Sequence, residues 1–137
     1  MKPTVTYPDP ERETVDILTD LFEDAGENAV TVGVGVPDGW TPGDNPHLGV
    51  ACDGTFTDLH PIIARSTIRL VARAATTTEA KRLAQLAHGL LCGWRGDAGV
   101  SAFQPLTGLL PARDPKTDAE IAAVTVRALL RSTPVPV

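Results

Sequence analysis

Basic charge is in short supply in this sequence. Twelve Lys and Arg stand against 17 Asp and Glu, giving a formal charge of −5 and a pI near 5.0. A domain that grips DNA phosphates over its whole surface is usually basic, so that class is disfavoured and only a local basic patch stays open. Long apolar runs are missing as well. None approaches the roughly 20 residues needed to cross a bilayer, and the opening "MKPTVTYPDPERE" has no apolar stretch of the kind that heads a secreted protein. The expectation is a soluble protein made in the cytoplasm, with no membrane partner. Cysteine is nearly absent. Cys52 and Cys92 stand without a CxxC spacing and are expected to be reduced packing residues. Aromatics make up only 4% of the chain, whereas Pro and Gly number 12 each, a loop-rich balance in an otherwise ordinary globular composition. A chain of 137 residues is one domain's worth, able to bury roughly two-thirds of the surface that it exposes when unfolded.

Signatures of chemistry are equally thin. The stretch "VTVGVGVPDGW" carries Gly33, Gly35 and Gly39, but a dinucleotide fingerprint needs its glycines between a strand and the start of a helix. More Pro and Gly follow here, so no helix begins where a phosphate would need one. No Gly-Lys-Ser/Thr is present. The three histidines, His47, His60 and His88, share no short ligand spacing, and no spacing brings one of them to Ser66, Ser101 or Cys52 as a base to a nucleophile. His88 lies beside an apolar helical stripe and reads as a packed or boundary residue. No enzyme activity, metal or cofactor is expected.

The elements themselves are well marked. Asp9 is placed to cap a helix with Pro10 at its first position and Glu11 and Glu13 at the positive end of the dipole. Val15, Leu18, Phe22 and Ala25 form its apolar stripe, Gly26 stops it, and Asp16, Asp20, Glu23 and Asp24 make a solvated acidic face. Alternating valines predict a strand over residues 29–36, followed by a turn at 37–39 and an irregular loop to Pro46. "HLGVACDG" predicts a short strand ending at the turn pair Asp53-Gly54. After a loop over residues 56–61, "IIARSTIRLVARA" is the longest strand, with Ile62, Ala64, Ser66, Ile68, Leu70 and Ala72 on one face and Ile63, Arg65, Thr67, Arg69, Val71 and Arg73 on the other.

The second helix is marked by Thr76 and Glu79 at capping-box spacing and by the apolar face of Ala80, Leu83, Ala84, Leu86, Ala87, Leu90 and Leu91 before Gly93. Two strands close the domain, one near residues 100–106 and one near 119–131, the latter assigned on its β-branched content despite Ala and Leu that would suit a helix. The expected fold is α+β, a single mixed, mainly antiparallel sheet with both helices on one face, in the order α-β-β-β-α-β-β. Residues 1–131 make one domain and 132–137 an extended tail.

Arg65, Arg69 and Arg73 recur every four residues, about 13 Å apart along a strand. They form either a solvated face whose stems cover apolar surface, a face that meets an acidic neighbour such as the Asp16 and Asp20 side of another copy, or a DNA contact. Trp40, in a polar Pro-rich loop, either folds back onto its own core or anchors an interface.

Taken in order, "TVDILTDLF", "VPDGW" with its Pro-rich loop, "PHLGVACDG", "IIARSTIRLVARA", "TTTEAKRLAQLAHGLL" and "ARDPKTDAEIAAVTVRALLR" resemble the tail terminator proteins of long, flexible-tailed bacteriophages. Thr78, Glu79 and Ala80 match a Ser/Thr/Arg-Glu-Ala step after that family's long strand, and Asp114, Pro115 and Arg131 match its closing segment. The departures are the sparse aromatics and the helix-tolerant "AAVTVRALL". The resemblance implies a structural protein of the virion's tail and neck, assembled in the host cytoplasm. It implies a hexameric ring on the head-proximal end of the tail tube, which stops polymerisation and joins the head connector. The partners implied are further copies of the chain, the tube protein and the head-completion protein, with DNA passing through the lumen unbound. On that view Pro37, Asp38, Asp44 and Trp40, the arginine row, and Asp16 and Asp20 are interface candidates. Another small neck or minor tail assembly protein is the alternative; a small hydrolase or nucleotide-binding domain is a more distant one.

Overall fold

The computed structural model describes residues 4–135. The elements in chain order are β1 (Val5–Thr6), α1 (Pro10–Asp24), β2 (Thr31–Val34), β3 (His47–Leu59), β4 (Ile63–Ala74), α2 (Thr77–Cys92), β5 (Val100–Arg113), β6 (Glu120–Arg131) and β7 (Thr133–Pro134). Five strands form one sheet in the order β2-β3-β4-β6-β5, parallel between β2 and β3 and antiparallel elsewhere. The α+β architecture and the mixed, mainly antiparallel sheet are therefore as the residue pattern indicates.

Each helix starts where its capping chemistry places it. The Asp9 carboxylate accepts from the Glu11 and Arg12 amides, with Pro10 just inside. Thr76 Oγ1 accepts from the Glu79 amide at 3.2 Å. The Glu79 carboxylate does not close the reciprocal half of a capping box. It is held instead by Arg82, whose guanidinium also grips Glu27 beyond the end of α1 at 2.6 and 3.1 Å. That three-residue clamp ties the two helices' ends together and keeps Glu27 and Glu79 below the usual carboxylate range, through their bonds to Arg82.

The sheet has one wet and one dry side. Along β4, Ala64, Ser66, Ile68, Leu70, Ala72 and Ala74 are fully buried, and their partners on β6, from Ala122 to Leu130, alternate in the same phase. Helix α2 packs over β4, β5 and β6, and α1 over β2 and β3 with an edge against α2. Leu18 and Phe22 from α1 and Leu83 and Leu91 from α2 complete the core. Ser66, the polar intruder, is satisfied by Thr55 Oγ1 at 2.7 Å. Trp94 lies at the rim of the core and packs against Phe103, ring centroids 5.7 Å apart.

Several boundaries move relative to expectation. Asp53-Gly54 is a β-bulge rather than a turn, so β3 continues to Leu59 and the hairpin turns at residues 60–62. Both uses favour a flexible Asp-Gly pair, which is why composition alone misassigns it. Strand β5 runs to Arg113 through three register shifts, well beyond residue 106. Residues 133–134 of the expected tail are extended and pair with β1, with the Val135 amide donating to Thr4 O; residues 136–137 of that tail lie outside the described residues.

Candidate functional site

Among the described residues, neither helix lies over the face of the sheet that carries the arginines, whereas the chain at Gly35 crosses it beside Gly49. Arg65, Thr67, Arg69, Val71 and Arg73 of β4 lie there beside Ile121, Ala123, Thr125, Arg127 and Leu129 of β6. The arginine row is thus gathered on one surface, as the alternation of β4 requires.

Each arginine of the row has an acidic partner in its own chain. Arg65 pairs with Asp58 across the β3–β4 hairpin, Arg69 with Asp53 at 3.4 Å, and Arg73 with Asp114 at 3.4 Å. The first two pairs span the same hairpin; the third reaches to the loop between β5 and β6. The Arg65 bond holds Asp58 below the usual carboxylate range. Asp114 is held low first by the Lys116 amide and then by Arg73. Spacing along one strand reveals a row of cations, but their partners lie on other strands, and only the topology brings them within reach.

Asp16 and Asp20 project from the outer face of α1, on the side of the molecule opposite the arginines. Asp16 lies 3.8 Å from Arg12, both largely in solvent, a geometry worth little on its own. Trp40 turns inward: it is 7% exposed and its Nε1 donates to Asn45 O at 2.9 Å. Pro37 and Asp38 stay exposed beside it, and Asp44 accepts from the Thr41 amide at 2.8 Å to close the loop. Of this loop's candidates, then, the backbone turn and its carboxylates face outward, whereas the indole does not.

The same loop holds a feature that glycine spacing does not disclose. Because β2 and β3 are parallel, residues 35–46 form a crossover, which must carry the chain back to the start of β3. His47 anchors it. Its Nε2 lies 2.8 Å from Gly35 O, and since a carbonyl only accepts, that nitrogen carries the proton; Nδ1 then accepts from Thr31 Oγ1 at 2.7 Å. Burial pushes the imidazole below its ordinary value of 6.5, opposed by the Gly35 bond and reinforced by the charge of Arg73.

As pH falls, the unfolded chain takes up this proton before the native one does. Stability from neutral His47 is therefore complete above about pH 6.5 and is lost as pH drops from there towards the native value. His47→Gln is expected to flatten that part of the stability profile, read from urea titrations at about pH 7.5 and 5.5. An unchanged slope would show that His47 is not its source.

Among the open depressions that flank the sheet are the following two. One, of about 320 Å³, lies on the uncovered face between Gly49, Ala51, Val71 and Ile121, with Arg69 and Arg73 at its rim. The other, of about 460 Å³, lies between α1 and β2. At the far end of the β3–β4 hairpin, Phe56, Leu59 and Ile62 are exposed at 60%, 48% and 78%. No group of metal-ligating side chains occurs among the described residues, and no described helix is long and apolar enough to cross a membrane. A scan against protein-family models finds no match to this chain, and a search of curated proteins finds none either.

Proposed function

We propose that this chain is the tail terminator of a long, flexible-tailed bacteriophage, a virion structural protein rather than an enzyme. Six copies close into a ring at the head-proximal end of the tail tube, stop its polymerisation and present the surface that the head connector joins. One observation carries the reading furthest: the domain is two-sided, with helices roofing one face of the sheet while the other face, the hairpin end and their half-buried apolar and arginine side chains lack cover. A subunit with neighbours on several sides can use such a surface for its contacts.

The termination task needs a ring whose two sides differ. A tube of stacked rings keeps growing unless its last ring matches the tube on one side and refuses a further tube ring on the other. Exposed backbone and carboxylates around Pro37, Asp38 and Asp44 offer contacts distinct in chemistry from the apolar hairpin end. The net charge of −5 suits a lumen through which DNA slides without adhering.

The test is to incubate the purified protein with tail tubes and examine them by native mass measurement and negative-stain imaging. A ring of six capping one end of each tube is the expected result. A protein that stays monomeric and never binds tubes overturns the reading, and one that binds the head connector alone assigns it to another neck component.

A further inference from the structure

We infer that the free edge of β2 is a docking site for an extended, basic segment of a partner protein, which adds to the five-stranded sheet as one more strand in the groove at the C-terminal end of α1. The inference stands apart from the ring reading and does not depend on it.

The edge is open in its backbone chemistry. Strand β2 ends the sheet order, with β3 on one side and no described strand on the other. In the parallel ladder the Thr31 amide donates to Pro46 O and the Gly35 amide to Val50 O, so residues 31, 33 and 35 direct their backbone groups at β3. The N–H and C=O groups of Val32 and Val34 therefore point outward, spaced as a further strand needs them. Nothing in "TVGV" guards them, since it holds no charge, no proline and no register shift. At the opposite edge, Pro105, Pro111 and three register shifts interrupt β5. Val34 is 56% exposed, an apolar landing beside the outward groups.

Space and charge fit a basic segment. The depression of about 460 Å³ beside this edge is lined by Phe22 and Glu23 of α1, by Glu27 in the loop that follows, and by Val30, Thr31 and Val32. Helix α1 has no basic residue in its last turn, so the negative end of its dipole lies beside Glu23 and Asp24 uncompensated. Among the described residues no cation pairs with either carboxylate. Glu27 and Glu79 share the one guanidinium of Arg82, which leaves that cluster negative as well. A strand with Lys or Arg at alternate positions sets its cations on one face, at the helix end, while its main chain pairs with Val32 and Val34. The same carboxylates repel nucleic acid and acidic segments.

The probe is a short synthetic peptide of alternating Lys and Val, titrated up to about millimolar against the isotope-labelled full chain. Hydrogen exchange followed by NMR is expected to show the Val32 and Val34 amides slowed as peptide is added. The same peptide N-methylated throughout keeps its charge but has no amide to donate, and is expected to bind at least roughly tenfold more weakly, the scale of two lost hydrogen bonds. Glu23→Lys changes an exposed side chain and is expected to weaken the unmodified peptide about fivefold or more. Melting followed by circular dichroism checks that this variant still folds. A peptide of alternating Glu and Val is expected not to bind.

Equal binding by the methylated peptide, or binding that leaves the two amides exchanging as before, reduces the effect to general charge attraction and overturns the inference. No binding of the Lys and Val peptide up to that concentration overturns it too, as does equal binding of the Glu and Val peptide. Protection of Val32 and Val34 that grows with protein concentration in the absence of peptide makes a second copy the occupant, against the inference. None of these outcomes touches the ring reading, which is decided by whether tubes are capped.

Discussion

The Gly49→Val protein is expected to lose about 3 kcal/mol of stability, at the upper end of the cost of overpacking a fitted site. A Cβ at position 49 would stand 2.5 Å from Gly35 O and 3.3 Å from Gly35 C. Neither is the end of a flexible side chain. Gly35 has φ of +69°, its amide donates to Val50 O at 3.2 Å and its carbonyl accepts from His47, so the crossover is held by two hydrogen bonds where it meets Gly49. Relief requires those bonds to lengthen or β2 to leave the sheet. Thermal melting should fall by on the order of 10 °C. Gly89→Ala is the useful contrast. A Cβ there meets nothing within 4 Å on an exposed turn of α2, so that change should stabilise by about 0.5–1 kcal/mol. A Gly49→Val protein as stable as wild type would mean that the crossover moves aside at no cost.

Leu70→Ala should cost about 3–4 kcal/mol, within the range for deleting a buried leucine. Leu70 is fully buried on the central strand, level with Val50 on β3 and Val124 on β6, and both neighbours are themselves in the core. With strands on both sides and helices above, the surrounding structure collapses only partly into the space. Urea unfolding should show a lower midpoint with an unchanged slope, because the surface exposed on unfolding is nearly the same. A loss under about 1 kcal/mol would show that the helices repack over the gap. One residue further on, Val71→Ala should cost about 1 kcal/mol or less in the isolated chain, since Val71 faces the uncovered side.

Much of the fold is written in local pattern. The two helices are legible because Asp9 with Pro10 and Thr76 with Glu79 mark their starts, and because a 3.6-residue stripe persists through each. Strands β4 and β6 are legible because alternation holds over a dozen residues in both, and β-branched Val124, Thr125 and Val126 outweigh the helix-tolerant Ala and Leu around them. The hairpin end was less legible. Asp53-Gly54 suits a bulge as well as a turn, and which of the two forms depends on whether residues 55–59 find partners on β4, a long-range matter. The pairing of β1 with β7 is similarly opaque, since two-residue strands carry no period.

The candidate surface divides in the same way. Sequence by itself determined that Arg65, Arg69 and Arg73 share a side, because side chains alternate along any strand. It also determined the acidic balance of the chain and the interruption of "VTVGVGVPDGW" by residues that cannot start a helix. Tertiary structure decided which side of β4 the helices cover. It also placed Asp53, Asp58 and Asp114 opposite the arginines, made residues 35–46 the crossover of a parallel pair, and turned Trp40 inward. Those outcomes depend on contacts between residues far apart in the chain, whose geometry is set by strand order and by the close approach of Gly35 to Gly49, and no local period encodes either.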